Sequence, residues 1–69
     1  MKTKYKYLEF VEGLENEWTV WNHQRDDYLG VIKYNKGWKE YEFLPEPNTN
    51  YTVVCLIDLA DFIRQINTK

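Results

Sequence analysis

Chemistry in this chain would have to come from a small set of side chains. They are His23 with Asp26 and Asp27, the single Cys55, the carboxylate pairs Glu40/Glu42 and Asp58/Asp61, and a series of Tyr and Trp rings interleaved with Lys. A metal site needs three or four converging ligands. In "HQRDD", His23 to Asp27, the two adjacent aspartates point to different sides of any strand, so the segment reads as a solvated loop. Glu40 and Glu42 share one strand face and have the spacing of an acid/base pair, but nothing in the sequence places a substrate between them. Asp58 and Asp61 lie one helical turn apart. They read first as a solvated face, with a role beside the helix dipole or as a dock for a basic partner as the alternatives. Cys55 falls on an apolar stripe and reads as a small buried hydrophobe. The chain has no glycine-rich phosphate loop, no Ser or Cys nucleophile motif and no paired cysteines. The expectation is a protein that is not an enzyme, with no metal and no cofactor.

Stacking is the chemistry that the sequence favours more. Tyr, Trp and Lys alternate in "KTKYKY" and again in "KYNKGWK", Lys33 to Lys39. Rings flanked by Lys hold nucleotides and single-stranded nucleic acids on sheets. Against long polyanions stand a net charge of −2 and a pI near 5.3, because phosphate binding rests on clustered Lys and Arg.

The elements that would position these residues follow from pattern. Lys4 to Val11, Glu17 to Asn22, Tyr28 to Tyr34 and Trp38 to Leu44 are rich in aromatic and β-branched residues and read as strands. Gly30 inside the third suggests a bulge or a close approach. Asn35-Lys36-Gly37 fits a three-residue hairpin loop, with Gly37 in the left-handed position. Pro45 and Pro47 end the fourth strand. Beyond them the period changes: Cys55, Leu56, Leu59, Phe62, Ile63 and Ile66 recur as on an amphipathic helix that ends near Asn67. Thr52 suits its N-cap, while Tyr51 to Val54 equally fits a short fifth strand. The fold class is α+β: a four-stranded antiparallel meander with one C-terminal helix packed on one face, in a single domain spanning residues 1–69.

With a loop of Asn35 to Gly37, Tyr34 faces Trp38. Alternation then gathers Trp18, Val20, Tyr28, Ile32, Tyr34, Trp38 and Leu44 on one face, with Glu40 and Glu42 among them. The other face receives Trp21, Leu29, Val31, Tyr41 and Phe43, with Lys33 and Lys39. One helix, about 10 Å across, cannot cover both faces of a sheet whose strands are spaced at about 4.8 Å. A contiguous apolar surface left bare marks an interaction site. The candidate interface or ligand residues are Trp18, Tyr28, Ile32, Tyr34 and Trp38, with Lys33, Lys36 and Lys39.

Length points the same way. A 69-residue chain buries only about 60% of the surface its unfolded form exposes, and with one cysteine it has no internal disulfide. Self-association or unusually rich packing must supply the margin, and an aromatic content of 17% serves either. No stretch approaches the ~18 apolar residues of a membrane span, and "MKTKYKYLEF" has no signal-peptide core. A cytoplasmic protein without membrane contact is expected.

Three motifs occur in order: "LGVIKY" (Leu29 to Tyr34), "WKEYEFLPEPNT" (Trp38 to Thr49) and "CLIDLADFIRQIN" (Cys55 to Asn67). In these the chain resembles a group of short, largely uncharacterised proteins of bacteria and their phages, whose pattern runs L-G-x-I, W-x-x-Y-x-F-x-P and C-L-x-D-x-x-x-F-I. The N-terminal third lies outside the resemblance, which brings no catalytic or binding residues. It implies a small accessory protein of a phage or other mobile element, acting by binding a host factor. The functional expectation is a non-catalytic, self-associating interaction module that modulates a host protein. The alternative is a small nucleotide or single-stranded nucleic-acid binder that uses Tyr and Trp stacking with Lys33, Lys36 and Lys39.

Overall fold

A computed structural model describes residues 1–68. Four strands, β1 (Leu8–Glu12), β2 (Trp18–Asn22), β3 (Asp27–Asn35) and β4 (Glu40–Pro45), precede one helix, α1 (Val53–Asn67). The strands form a single antiparallel sheet in the order β1-β2-β3-β4, so the α+β meander holds. Thr52 caps α1 by accepting a hydrogen bond from the Cys55 N–H, and residues 51–52 form no strand; the helix begins at Val53.

The turns follow from side chains able to replace backbone partners. Asn22 Oδ1 accepts from the Gln24 and Arg25 N–H groups, and Asn35 Oδ1 accepts from the Trp38 N–H at 3.0 Å. Each asparagine opens a four-residue loop that closes with a left-handed residue, Asp26 at φ 60° and Lys39 at φ 60°. The β1–β2 turn puts both central residues, Glu15 and Asn16, at positive φ, the geometry whose twist matches paired strands.

The second of these loops corrects the expected register. The loop runs over 36–39, Lys39 rather than Gly37 takes the left-handed position, and Tyr34 pairs with Tyr41 rather than Trp38. A shift of three residues is odd, so every β4 side chain changes face. Tyr41 and Phe43 join Ile32 and Tyr34, while Glu42 and Leu44 join Lys33 and Val31. A second correction comes at the break in register between Val20 and Trp21. Val20 pairs with Gly30 but Trp21 pairs with Tyr28, leaving Leu29 as the extra residue of a bulge. Tyr28 thereby moves to the Trp21 face.

The core lies between α1 and the face carrying Leu8, Phe10, Trp18, Val20 and Ile32. Phe62, Leu8, Ile32 and Val20 are its most enclosed side chains. Phe62 stacks on Phe10 and meets Trp18 edge-on, with centroids 5.0 Å apart. Of the six helix residues expected inward, Cys55, Leu59, Phe62 and Ile66 are buried, Ile63 is half-buried and Leu56 is exposed.

Both margins of the sheet carry hydrogen-bonding detail. The first strand begins at Leu8, not Lys4. The preceding segment folds back through a tight turn, in which the Tyr5 N–H donates to Leu8 O, and Thr3 O then accepts from the Phe10 N–H at 2.8 Å. On β4, the Tyr41 N–H donates to Asn67 Oδ1 at 2.8 Å, and Pro45 has no N–H to offer.

Candidate interaction surfaces

Register and alternation define the sheet face that α1 does not cover. Val11 and Thr19 face each other across β1 and β2, and Trp21 stands opposite Tyr28 across β2 and β3. Val31 stands opposite Leu44 across β3 and β4. The Trp21 and Tyr28 rings lie 5.1 Å apart, tilted by 58°. The Trp21 Nε1–H donates to Thr19 Oγ1 at 3.0 Å, and the Thr19 hydroxyl donates to Val11 O at 3.3 Å. The one polar atom of the indole is therefore satisfied within the face, which leaves its ring surface free of polar demand. Val11, Tyr28 and Leu44 are 46%, 38% and 42% exposed.

Charge surrounds this apolar centre. Lys4 stands opposite Glu9 in an isolated backbone pair beside β1, the arrangement in which opposite charges across a pair favour each other. On β4, Glu40 and Glu42 share the face with Leu44. Lys33 is the cross-strand neighbour of Glu42, but its Nζ is turned to Glu17, 3.9 Å from a carboxylate oxygen. Glu42 Oε2 instead accepts from Asn35 Nδ2 at 2.8 Å. Neither Glu40 nor Glu42 forms an ion pair among the described residues.

A second apolar surface lies on the far side of α1. Val53, Leu56 and Ile57 are 71%, 50% and 62% exposed, and Val54 and Ala60 are also open. The helix is thus apolar on nearly all sides of its first two turns, a pattern usual for a helix enclosed by other elements.

The residues expected at an interface are distributed unevenly. Tyr28 and Lys33 lie on the uncovered face. Trp18 and Ile32 are buried beneath α1, Ile32 completely, because that face is the one the helix covers. Tyr34 lies on the helix side, its ring edge-on to Tyr41 at 5.2 Å. Trp38, with Lys36 and Lys39, sits in the β3–β4 loop, where the indole is 75% exposed. Tyr34 and Lys33 thus point to opposite faces, and Tyr34, Trp38 and the three lysines do not share one platform. Val11, Trp21, Val31 and Leu44 were missing from the expected interface. Their signal was the incompatibility of Glu40 and Glu42 with the face of Ile32 and Val20. The helix surface had a plainer signal, since "VVCLI", Val53 to Ile57, has more apolar residues than one stripe needs.

The polar clusters are tied into the structure. His23 Nε2 lies 2.8 Å from Tyr5 O, and the His23 N–H donates to Tyr7 O. Asp61 accepts from the Tyr5 hydroxyl at 2.7 Å and from Arg64 at 3.0 Å. Burial, then the Asp61 hydrogen bond, pushes the Tyr5 phenol up to about 12; the same bond, helped by Arg64, lowers the Asp61 carboxyl. Cys55 is buried, with the Thr52 hydroxyl 3.4 Å from its sulfur. A cleft of about 520 Å³ opens at the start of α1, between Tyr7, Asn22 and Arg25 on one side and Tyr51, Thr52 and Cys55 on the other. No group of three His, Cys, Asp or Glu side chains arranged to hold a metal occurs among the described residues, and no helix among them is long and apolar enough to cross a membrane.

The fold and these surfaces define a class: a small α+β meander whose single helix leaves one sheet face and its own outer side uncovered. Comparison with protein-family models, with curated proteins and with solved structures finds no match to the chain.

Proposed function

We propose that this chain is a non-catalytic protein-interaction module that holds a partner on the uncovered sheet face around Trp21 and Tyr28. One observation carries the reading: a chain of 69 residues leaves apolar side chains open on two separate surfaces. Hydrophobic area is the main thing so small a domain has to stabilise it, and contiguous apolar patches on small proteins mark interaction sites. Self-association through the outer side of α1 belongs to the same reading. The mobile-element context implied by the motif resemblance makes a host protein the partner to look for first.

The test uses a photoreactive phenylalanine analogue at position 28 in the producing cell, with the same analogue in place of Trp38, in the β3–β4 loop and 75% exposed, as a control outside the face. A discrete crosslinked species from position 28 alone supports the reading. Identical patterns from both positions, or no crosslink from either, would overturn it.

A further inference from the structure

The uncovered face also carries information about its occupant. We infer, resting on the interaction-module reading, that the face receives a basic amphipathic helix from another protein: apolar side chains over Trp21, Tyr28, Val31 and Leu44, and cations at Glu40 and Glu42.

Charge comes first. Around the apolar centre Glu17 is matched by Lys33 at 3.9 Å, and Glu9 has Lys4 opposite it. With Lys33 turned to Glu17, Glu40 and Glu42 form no ion pair among the described residues; Glu42 has only the neutral Asn35 amide, at 2.8 Å. The excess is negative and sits beside Leu44, on the apolar surface itself. A second copy placed face to face would bring an identical excess against this one, and like charges brought together at an interface weaken it. A partner with Lys or Arg at its border gains where a second copy loses.

Backbone chemistry then selects the helix. An extended segment usually binds by adding to a sheet margin, where unpaired ladder groups receive it. Here Thr3 O already holds the Phe10 N–H, Asn67 holds the Tyr41 N–H, and Pro45 has no donor, so neither margin offers an uninterrupted row of ladder groups. An occupant lying across the face must satisfy its own backbone, and a helix does so. At about 10 Å in diameter it spans the gap between β2 and β4, strands two spacings of about 4.8 Å apart.

The experiment is a titration of the full chain, labelled with ¹⁵N, with two synthetic amphipathic helical peptides, one of Leu and Lys and one of Leu and Glu. The Leu/Lys peptide should shift the Trp21 indole N–H and the Glu40 to Leu44 amides while leaving the Trp38 indole in place. E40Q/E42Q, which removes both charges and keeps an oxygen acceptor for the Asn35 amide at half-buried Glu42, should weaken it about two- to thirtyfold, the range for two exposed ion pairs. Equal binding of the Leu/Glu peptide at this face, or unchanged affinity in E40Q/E42Q, would overturn the basic partner and leave the face reading intact. Shifts confined to α1, or none, would overturn the face reading as well. Movement of the Trp21 signal on concentrating the protein alone would point to a second copy and overturn the inference.

Discussion

Phe10 of β1 and Phe62 of α1 lie parallel, their ring centroids 4.0 Å apart and their planes 5° from coplanar. This pair joins the helix to the first strand of the meander, elements separated by the whole length of the sheet in sequence. Phe62 is fully enclosed and also receives Trp18 edge-on.

Phe62→Ala should therefore cost about 3–5 kcal/mol, the usual range for a buried Phe. That is comparable to the whole margin of so small a domain. Thermal unfolding followed by far-ultraviolet circular dichroism should show the variant largely unfolded at 25 °C. A cooperative transition within a few degrees of the wild type would mean that the helix is held elsewhere.

Tyr5 and Asp61 give the fold a pH dependence at both ends. The phenol is raised, so its stabilisation is complete below the unfolded value near 10 and is lost as pH rises through about 12. The carboxyl is lowered, so its contribution is present above the unfolded value near 4 and is lost as pH falls through the folded value. Tyr5→Phe should cost about 1 kcal/mol near neutral pH through the lost hydroxyl bonds, and denaturant midpoints should then vary less at both extremes. Parallel pH profiles for the variant and the wild type would refute the coupling.

Gly30 is the one glycine with positive φ, at 150°. A Cβ there would stand 2.5 Å from Leu44 O and 2.9 Å from Pro45 Cα, backbone atoms that cannot swing aside. Gly30→Ala should destabilise by at least the ~1–3 kcal/mol typical of strained backbone and perturb the β3–β4 pairing. Amide exchange of β4 measures this, and unchanged protection would contradict the close approach.

Surface substitutions should separate the two uncovered areas from the loop. Trp38→Ala and Ile57→Lys change residues that are 75% and 62% exposed, so each should alter stability by no more than about 0.5 kcal/mol. Light scattering over a concentration series should show that Ile57→Lys reduces any self-association and that Trp38→Ala does not. Reduction by Trp38→Ala alone would move the contact to the loop.

The order of elements was legible because each type has its own period: alternating aromatic and β-branched runs, then apolar residues at helical spacing from Cys55 to Ile66. Thr52 as cap was legible for the same local reason. The β3–β4 register was not, because it depended on which loop residue turned left-handed. Gly37 is the cheaper choice locally, yet the turn built by the Asn35 side chain places the left-handed residue at Lys39. Covering Tyr41 and Phe43 outweighs the small cost of a non-glycine residue there. The Leu29 bulge was half legible, since Gly30 announced an irregularity without saying which residue would be extra. These two long-range choices moved Tyr28, Glu42 and Leu44 to the uncovered face, and with them most of the candidate site.

The hydrogen bonds from Thr3 to Phe10 and from Asn67 to Tyr41, with the proline at the end of β4, also bear on how the molecule survives in a crowded cell. Stacking of sheets into fibres starts when one chain's outermost strand templates the next. Here each outermost strand is interrupted: the outward N–H groups of Phe10 and Tyr41 already have partners, and Pro45 has none to give. A sheet interrupted in this way can leave apolar flat surfaces open with less tendency to seed an endless ribbon.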